Sequence, residues 1–293
     1  MAASIAAVGV SLSVVWWRVS VQLAQRAEQR RFAEARTDLP IIYENGCHAT
    51  VYETRVADCE FGWTRGATTV VLLGDSHAAQ WFPALDRVAR RLGWRLVVMT
   101  KSSCPAVDGP ELRLVNGINV ECSIWHRNAI AKIGGIRPAL VVISSLATGY
   151  GLTDGEWLQG TKGILAELST ASRRVVLVRD SPSPGFDVPV CLARQAWRMP
   201  LLPASQCSFE GRAKSRPDVF AAQQEAAAGF DNVRTLDLLD FICPAETCPL
   251  EGHGYVYYRD WHHLTKRFSE SLAEPFAAGI GIGSASQVLS THR

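Results

Sequence analysis

The stretch Thr68-Thr69-Val70-Val71-Leu72-Leu73-Gly74-Asp75-Ser76-His77 decides how this chain folds. Its first six residues are unbroken by charge and rich in aliphatic side chains. That is the pattern of a strand covered on both faces, since a half-exposed strand alternates. Gly74 lets the backbone turn tightly. Residues 77–92 then read as a helix, with Trp81, Leu85, Val88 and Leu92 at three- and four-residue steps and Gly93 as the stop. A buried strand handing over to an amphipathic helix is half of a parallel βαβ unit.

The same alternation continues on the C-terminal side. Strands are predicted at 96–100, Leu140–Ser144, Val175–Val178 and 232–236, with helical stretches at 122–133, 153–168 and 217–228. A last helix begins after Thr265, a suitable N-cap, and runs to about residue 278, with Pro275 as an early end. Strands alternating with helices imply an α/β fold: a three-layer α/β/α sandwich around a parallel sheet. Two stretches escape the pattern, 180–216 and 243–258, and are expected as surface excursions.

At 293 residues, 47% hydrophobic and 20% charged, the chain can bury one sizeable core with sequence to spare. A net charge of +2 offers a nucleic-acid partner no electrostatic support. The eight cysteines fall into four local pairs, Cys47-Cys59, Cys104-Cys122, Cys191-Cys207 and Cys243-Cys248. Eight cysteines allow about 105 connectivities in principle. Nearest-neighbour pairing is expected here because each pair brackets one loop. No C-x-x-C occurs, which argues against a zinc ribbon or a thioredoxin-type site. Four disulfides would place the domain in an oxidising compartment, periplasm or cell surface.

Three segments follow from this reading: 1–22, a hydrophobic membrane segment; 23–44, a charged, alanine-rich helical stalk; and 45–285, the folded domain. The apolar stretch is short for a spanning helix. It is followed by Arg18, Arg26, Arg30 and Arg31, which by the positive-inside rule would hold its C-terminal side in the cytoplasm. The cysteines argue the opposite. One resolution makes the segment the last span of a larger membrane protein.

Two motifs carry chemistry. Ser76, at the carboxyl edge of the first core strand, is placed as a nucleophile, with the following helix presenting free N–H groups to a developing oxyanion. Near the C-terminus, Tyr258-Arg259-Asp260-Trp261-His262-His263-Leu264-Thr265 sets an Asp three residues before a His. His263 can take the serine proton while Asp260 fixes its ring. His262 is a competing base, and the D-x-x-H spacing favours His263. His48, His77, His126 and His253 are scattered without metal-ligand spacing, so neither a metal nor another cofactor is expected. Asp180, after the fourth strand, is at most a pocket-wall residue. The nine tryptophans read chiefly as core, with sugar stacking as a second use.

Gly74-Asp75-Ser76 and Asp260-x-x-His263 together resemble the first and last sequence blocks of the SGNH hydrolase family. Gly74-Asp75-Ser76-His77-Ala78-Ala79-Gln80-Trp81 and Thr100-Lys101-Ser102-Ser103-Cys104-Pro105 bring the likeness closer to SGNH domains fused to acyltransferase-3 type membrane proteins. The resemblance covers roughly residues 45–280. It implies a flavodoxin-like three-layer fold and O-acyl (above all acetyl) ester chemistry on a cell-surface glycan or acylated sugar, in association with an acyltransferase-3 type membrane partner. The family's middle blocks contribute a glycine and a G-x-N-D asparagine to the oxyanion hole. Neither is present: the second strand is followed by Ser102-Ser103, and the third ends Ser144-Ser145-Leu146-Ala147. Asp75, His77, Ser102, Ser103 and Ser145 are therefore the candidates for oxyanion and pocket positions. Transferase and esterase share the same first half-reaction, so the motifs leave both open. A glycan-binding or acyl-handling ectodomain with weak catalysis is the alternative.

Overall fold

Val70, Val71, Leu72 and Leu73 are wholly withdrawn from water in the computed structural model. Each such side chain contributes roughly 1.5–3 kcal/mol relative to an exposed one. The structure describes residues 12–22, 27–108, 113–114, 117–118, 120–197 and 207–281. Its sheet strands are β1 (His48–Ala49), β2 (Glu60–Gly62), β3 (Thr69–Gly74), β4 (Arg95–Lys101), β5 (Leu140–Ser144), β6 (Val175–Val178) and β7 (Val233–Leu236). The helices used below are α1 (Ala27–Arg36), α2 (Ser76–Ala79), α3 (Phe82–Leu92), α4 (Val120–Ile136) and α5 (Asp154–Ala171). They continue with α6 (Val188–Trp197), α7 (Pro217–Ala227), α8 (Lys266–Ser271) and α9 (Ala273–Gly279).

The strands lie in the order β1-β4-β3-β5-β6-β7, all neighbours parallel, with β2 antiparallel against the start of β4. Alternate residues of β3 enter different layers, because side chains along a strand point to opposite faces. Val70 and Leu72 join a core with α3, α8 and α9, where Trp81, Leu85 and Phe276 are buried. Val71 and Leu73 join the other, with α4, α5 and α7, around Trp125, Trp157 and Leu165. The expected α/β/α sandwich is what forms.

All four disulfides pair nearest neighbours. Cys47–Cys59 ties together the two short strands that share the outer edge of β4. Cys104–Cys122 fastens the turn after β4 to the first turn of α4. These local staples hold loops that have little core of their own.

Several expectations change in detail. The predicted helix at 77–92 is two helices, α2 and α3. Pro83, in the first turn of α3, has no N–H to continue the ladder from Ala79. The last helix breaks at Leu272, upstream of Pro275, which sits in the first turn of α9, where no intrahelical N–H bond is required. The expected stalk contributes to the domain: Phe32 and Ala35 of α1 are buried in the core, and Gln29 Nε2 donates to Ala193 O of α6 at 3.0 Å. The excursion at 180–216 contains α6, and its residues 198–206 lie outside the described residues. So do residues 1–11 of the expected membrane segment, 23–26 of the stalk and 282–285 at the domain end. Among the described residues no helix is long and apolar enough to cross a membrane.

Candidate active site

Parallel strands deliver their carboxyl-end loops to one edge of the sheet, where open α/β folds hold ligands. Gly74 of β3 is in register with Thr100 of β4 and Ser144 of β5. The loops bearing Ser76, Ser102–Ser103 and Ser145–Leu146 therefore start side by side. Glycine is required at 74: φ is 144°, and a Cβ there would stand 2.1 Å from Ser144 O.

Asp75 braces these loops from below. It is wholly buried. One carboxylate oxygen accepts the His77 amide at 2.7 Å, capping α2; the other accepts the Leu146 amide at 2.8 Å and the Tyr150 hydroxyl at 2.7 Å. Gln80, one turn beyond Ser76, reaches the other side. Its Nε2 donates to Ser181 Oγ at 3.1 Å, and its Oε1 accepts the Leu264 amide at 2.9 Å. The C-terminal motif is thereby held against the helix that carries Ser76.

Above this frame lies a cavity of about 550 Å³ lined by Ser76, Ser102, Ser103, Asp260, His262 and His263, among others. His263 Nδ1 donates to Asp260 Oδ2 at 2.8 Å. Asp260 Oδ1 accepts the amides of His262 and His263 at 2.9 and 2.8 Å. Burial opposes the Asp260 charge, but these bonds from His263 and the two amides hold it well below the ordinary carboxylate range. His263 is lowered to about 3 by burial; the Asp260 bond opposes this, and His77 and Arg259 add to it. Its ring is neutral at pH 7, and Nε2 is buried without a hydrogen-bond partner.

A second histidine–aspartate chain runs beneath the first. His77 Nδ1 bonds Asp180 Oδ1, His77 Nε2 meets His262 Nδ1 at 2.7 Å, and Asp180 Oδ2 accepts the Ala147 amide at 2.7 Å. Burial opposes a charge on His77, yet Asp180, with Asp75 and Asp260 adding, raises its affinity for a proton. His262 is lowered to about 4, by burial first and His77 next. Asp260 thus partners the ring of His263, while the ring of His262 turns to His77.

Of the residues singled out from sequence, Ser76, Ser102, Ser103, Asp260 and His263 share the cavity. Asp75 and His77 lie under it, fully buried. Ser145 is not among the lining residues; its Oγ accepts the Ala106 amide at 2.8 Å. Ser102 Oγ is engaged with His48 Nε2 at 2.9 Å. Ser103 adopts φ 54°, the left-handed region that glycine favours, on the loop where the sequence lacks the expected glycine. Tyr43, His48, Tyr150 and Arg259 also line the cavity, and the sequence reading gave none of them a role. Arg259 flanks Asp260 in the motif, so proximity was a usable signal for it; its Nη2 donates to Tyr43 OH at 3.1 Å. His48 arrives through the edge strand β1 and Tyr43 through the 3-10 turn before it, and neither had such a signal.

No curated protein sequence matches the chain. Among solved structures, the periplasmic domain of a lipopolysaccharide acetyltransferase from Salmonella ser. Paratyphi A superimposes with TM-score 0.55 at 15% identity, covering 75% of this chain and 85% of that one. An acetyl-xylooligosaccharide esterase from Geobacillus gives TM-score 0.42 at 14% identity, covering 75% and 96%. A GDSL-like lipase from Bacteroides thetaiotaomicron gives 0.42 at 13%, covering 73% and 87%. The family model described as the SGNH domain fused to AT3 domains matches residues 46–278, from the first disulfide through α8 and nearly all of α9. With Gly74-Asp75-Ser76 and Asp260-x-x-His263 at the edge of one parallel sheet, the chain belongs to that SGNH domain family.

Proposed function

We propose that Ser76 is the nucleophile of an O-acyl transfer or ester hydrolysis reaction, with His263 as general base and Asp260 as the group that orients it. One observation carries the reading. His263 has its Nδ1 held by Asp260 and its Nε2 buried and unpartnered, in the same cavity that Ser76 lines. In the first half-reaction Ser76 Oγ attacks the acyl carbonyl carbon, and its proton passes to His263 Nε2. The tetrahedral oxyanion collapses, the ester C–O bond breaks, and the proton on His263 goes to the departing alkoxide. The acyl group is then carried on Ser76. In the second half-reaction a sugar hydroxyl or water attacks the acyl-enzyme, giving a proton to His263 that returns to Ser76.

Likeness to a lipopolysaccharide acetyltransferase domain and the family's fusion to AT3 domains favour a glycan acceptor and an acyltransferase-3 type partner. Four disulfides favour an extracytoplasmic site, with the N-terminal segment as anchor. A weakly catalytic acyl-handling domain is the second reading, and one observation favours it. The Leu146 and Ala147 amides, at the loop that lacks G-x-N-D, donate inward to Asp75 and Asp180. Losing one oxyanion donor typically costs about 2.7–4 kcal/mol of transition-state stabilisation.

Hydrolysis of p-nitrophenyl acetate by the wild type, Ser76→Ala and His263→Ala proteins tests the proposal. The expected loss is at least about 10³-fold in both variants. Equal rates in all three would end it. A burst of p-nitrophenol without turnover would assign the domain to transfer.

A further inference from the structure

We propose that His77, His262 and His263 form a three-histidine site for a divalent transition metal, zinc foremost, on the floor of the cavity. The sequence spacing concealed it, because His77 stands 185 residues from His262. The fold brings one ring nitrogen from each histidine within 4.8 Å of the other two. Three imidazoles and one outer ligand are a recurring zinc arrangement, with zinc–nitrogen distances of about 2.0–2.1 Å. His77 Nε2 and His262 Nδ1, now 2.7 Å apart, have to open slightly to admit the ion between them.

The surroundings are those of a metal site. Histidines that bind metal characteristically give their other nitrogen to a carboxylate, which fixes the ring and raises its basicity. Two of the three do so here: His77 Nδ1 bonds Asp180, and His263 Nδ1 bonds Asp260 at 2.8 Å. Both carboxylates are themselves fixed by backbone amides. The nitrogen left on each ring is Nε2. That of His263 is buried and without a partner. That of His77 shares one proton with His262 Nδ1 across 2.7 Å; a cation replaces that proton. Two nearby carboxylates balance the two positive charges. His262 and His263 line the cavity, so a water there supplies the fourth ligand. An all-nitrogen set excludes calcium and magnesium, which demand oxygen, and admits zinc and, more tightly, copper(II).

The consequence rests on the catalytic reading above. A metal on His263 Nε2 withdraws the lone pair that would take the Ser76 proton, so metal occupancy and ester cleavage exclude each other. The binding itself does not rest on that reading.

The test uses the untagged full chain in mild detergent, stripped with chelator and titrated with Co²⁺ and Zn²⁺. Expected are intense visible Co²⁺ absorption of tetrahedral type, one Zn²⁺ per chain by calorimetry, and reversal by chelator. His262→Gln should weaken Zn²⁺ affinity by at least about tenfold, while His253→Gln should not change it. Ser76→Ala should keep the metal site, so a failure of the catalytic reading leaves the metal result intact. Zn²⁺ should also arrest p-nitrophenyl acetate hydrolysis by the wild type, and chelator should restore it. Circular dichroism confirms that the variant is folded. Absent tetrahedral Co²⁺ absorption, or affinity unchanged in folded His262→Gln, overturns the proposal.

Discussion

Two histidine–aspartate pairs stand at the same edge of the sheet, with the rings of His77 and His263 only 5.1 Å apart, and they are tuned in opposite directions. The side chains of His77 and Asp180 are 0% and 6% exposed, those of His263 and Asp260 14% and 29%. His77 faces Asp180, Asp75 and Asp260 and is raised in its proton affinity, despite burial that works against it. His263 is buried beside His77 and Arg259 and is lowered to about 3. The lower pair locks the loops after β5 and β6, through the bonds of Asp180 to His77 and to the Ala147 amide. The upper one keeps a neutral imidazole with an unpartnered nitrogen, on the cavity that Ser76 also lines. What separates the two is the charge around each ring, and the first pair helps to set the second.

The largest effect expected from breaking this contrast is at Asp260. Asp260→Asn removes the acceptor that fixes the His263 tautomer, and kcat for p-nitrophenyl acetate should fall about 10²–10⁴-fold, with the melting temperature little changed. If activity stays within about threefold, Asp260 does not orient the base.

Asp180→Asn should show the converse. It replaces the buried carboxylate that holds the His77 ring and the Ala147 amide, which costs about 3–5 kcal/mol and lowers the melting temperature by roughly 10 °C in a domain of this size. Activity measured well below that transition should stay within about tenfold of wild type. Unfolding data showing no loss would mean that the lower pair does not hold the loops.

The smallest effect isolates what a buried histidine does with no carboxylate bonded to its ring. His126 in α4 is buried, with Nε2 unpartnered. Burial lowers it to about 4, with Asp108 opposing weakly. Its folded affinity for protons lies below its unfolded one, near 6.5. Stability is therefore full above about pH 6.5 and declines as pH falls toward 4, where the unfolded chain binds the extra proton. His126→Leu should lessen the drop in melting temperature between pH 7 and pH 5 by a few degrees. An identical drop in both proteins would remove His126 from the acid response.

Much of this arrangement was legible beforehand. The apolar run ending at Leu73 announced a doubly covered strand, and β5 and β6 fell on the stretches read as Leu140–Ser144 and Val175–Val178. Local periodicity carries that information because a central parallel strand is apolar throughout. β1 and the 3-10 turn that ends at Tyr43, two and three residues long, are too short to show any period, so Tyr43 and His48 entered the site unannounced. The cysteine pairing was readable from proximity alone. The His77–Asp180 link was not, since 103 residues separate the two and only the shared strand edge joins them. Asp75 could be placed in the motif but not given its task, because that depends on Leu146 and Tyr150, donated from another loop.

The most direct measurement of whether Ser76 is an activated nucleophile is peptide mapping after reaction with a fluorophosphonate, which labels serines whose proton a neighbouring base removes. One adduct per chain is expected, on Ser76, retained in Asp180→Asn and lost in His263→Ala. An adduct on another serine, or equal labelling of Ser76 after His263→Ala, would contradict it.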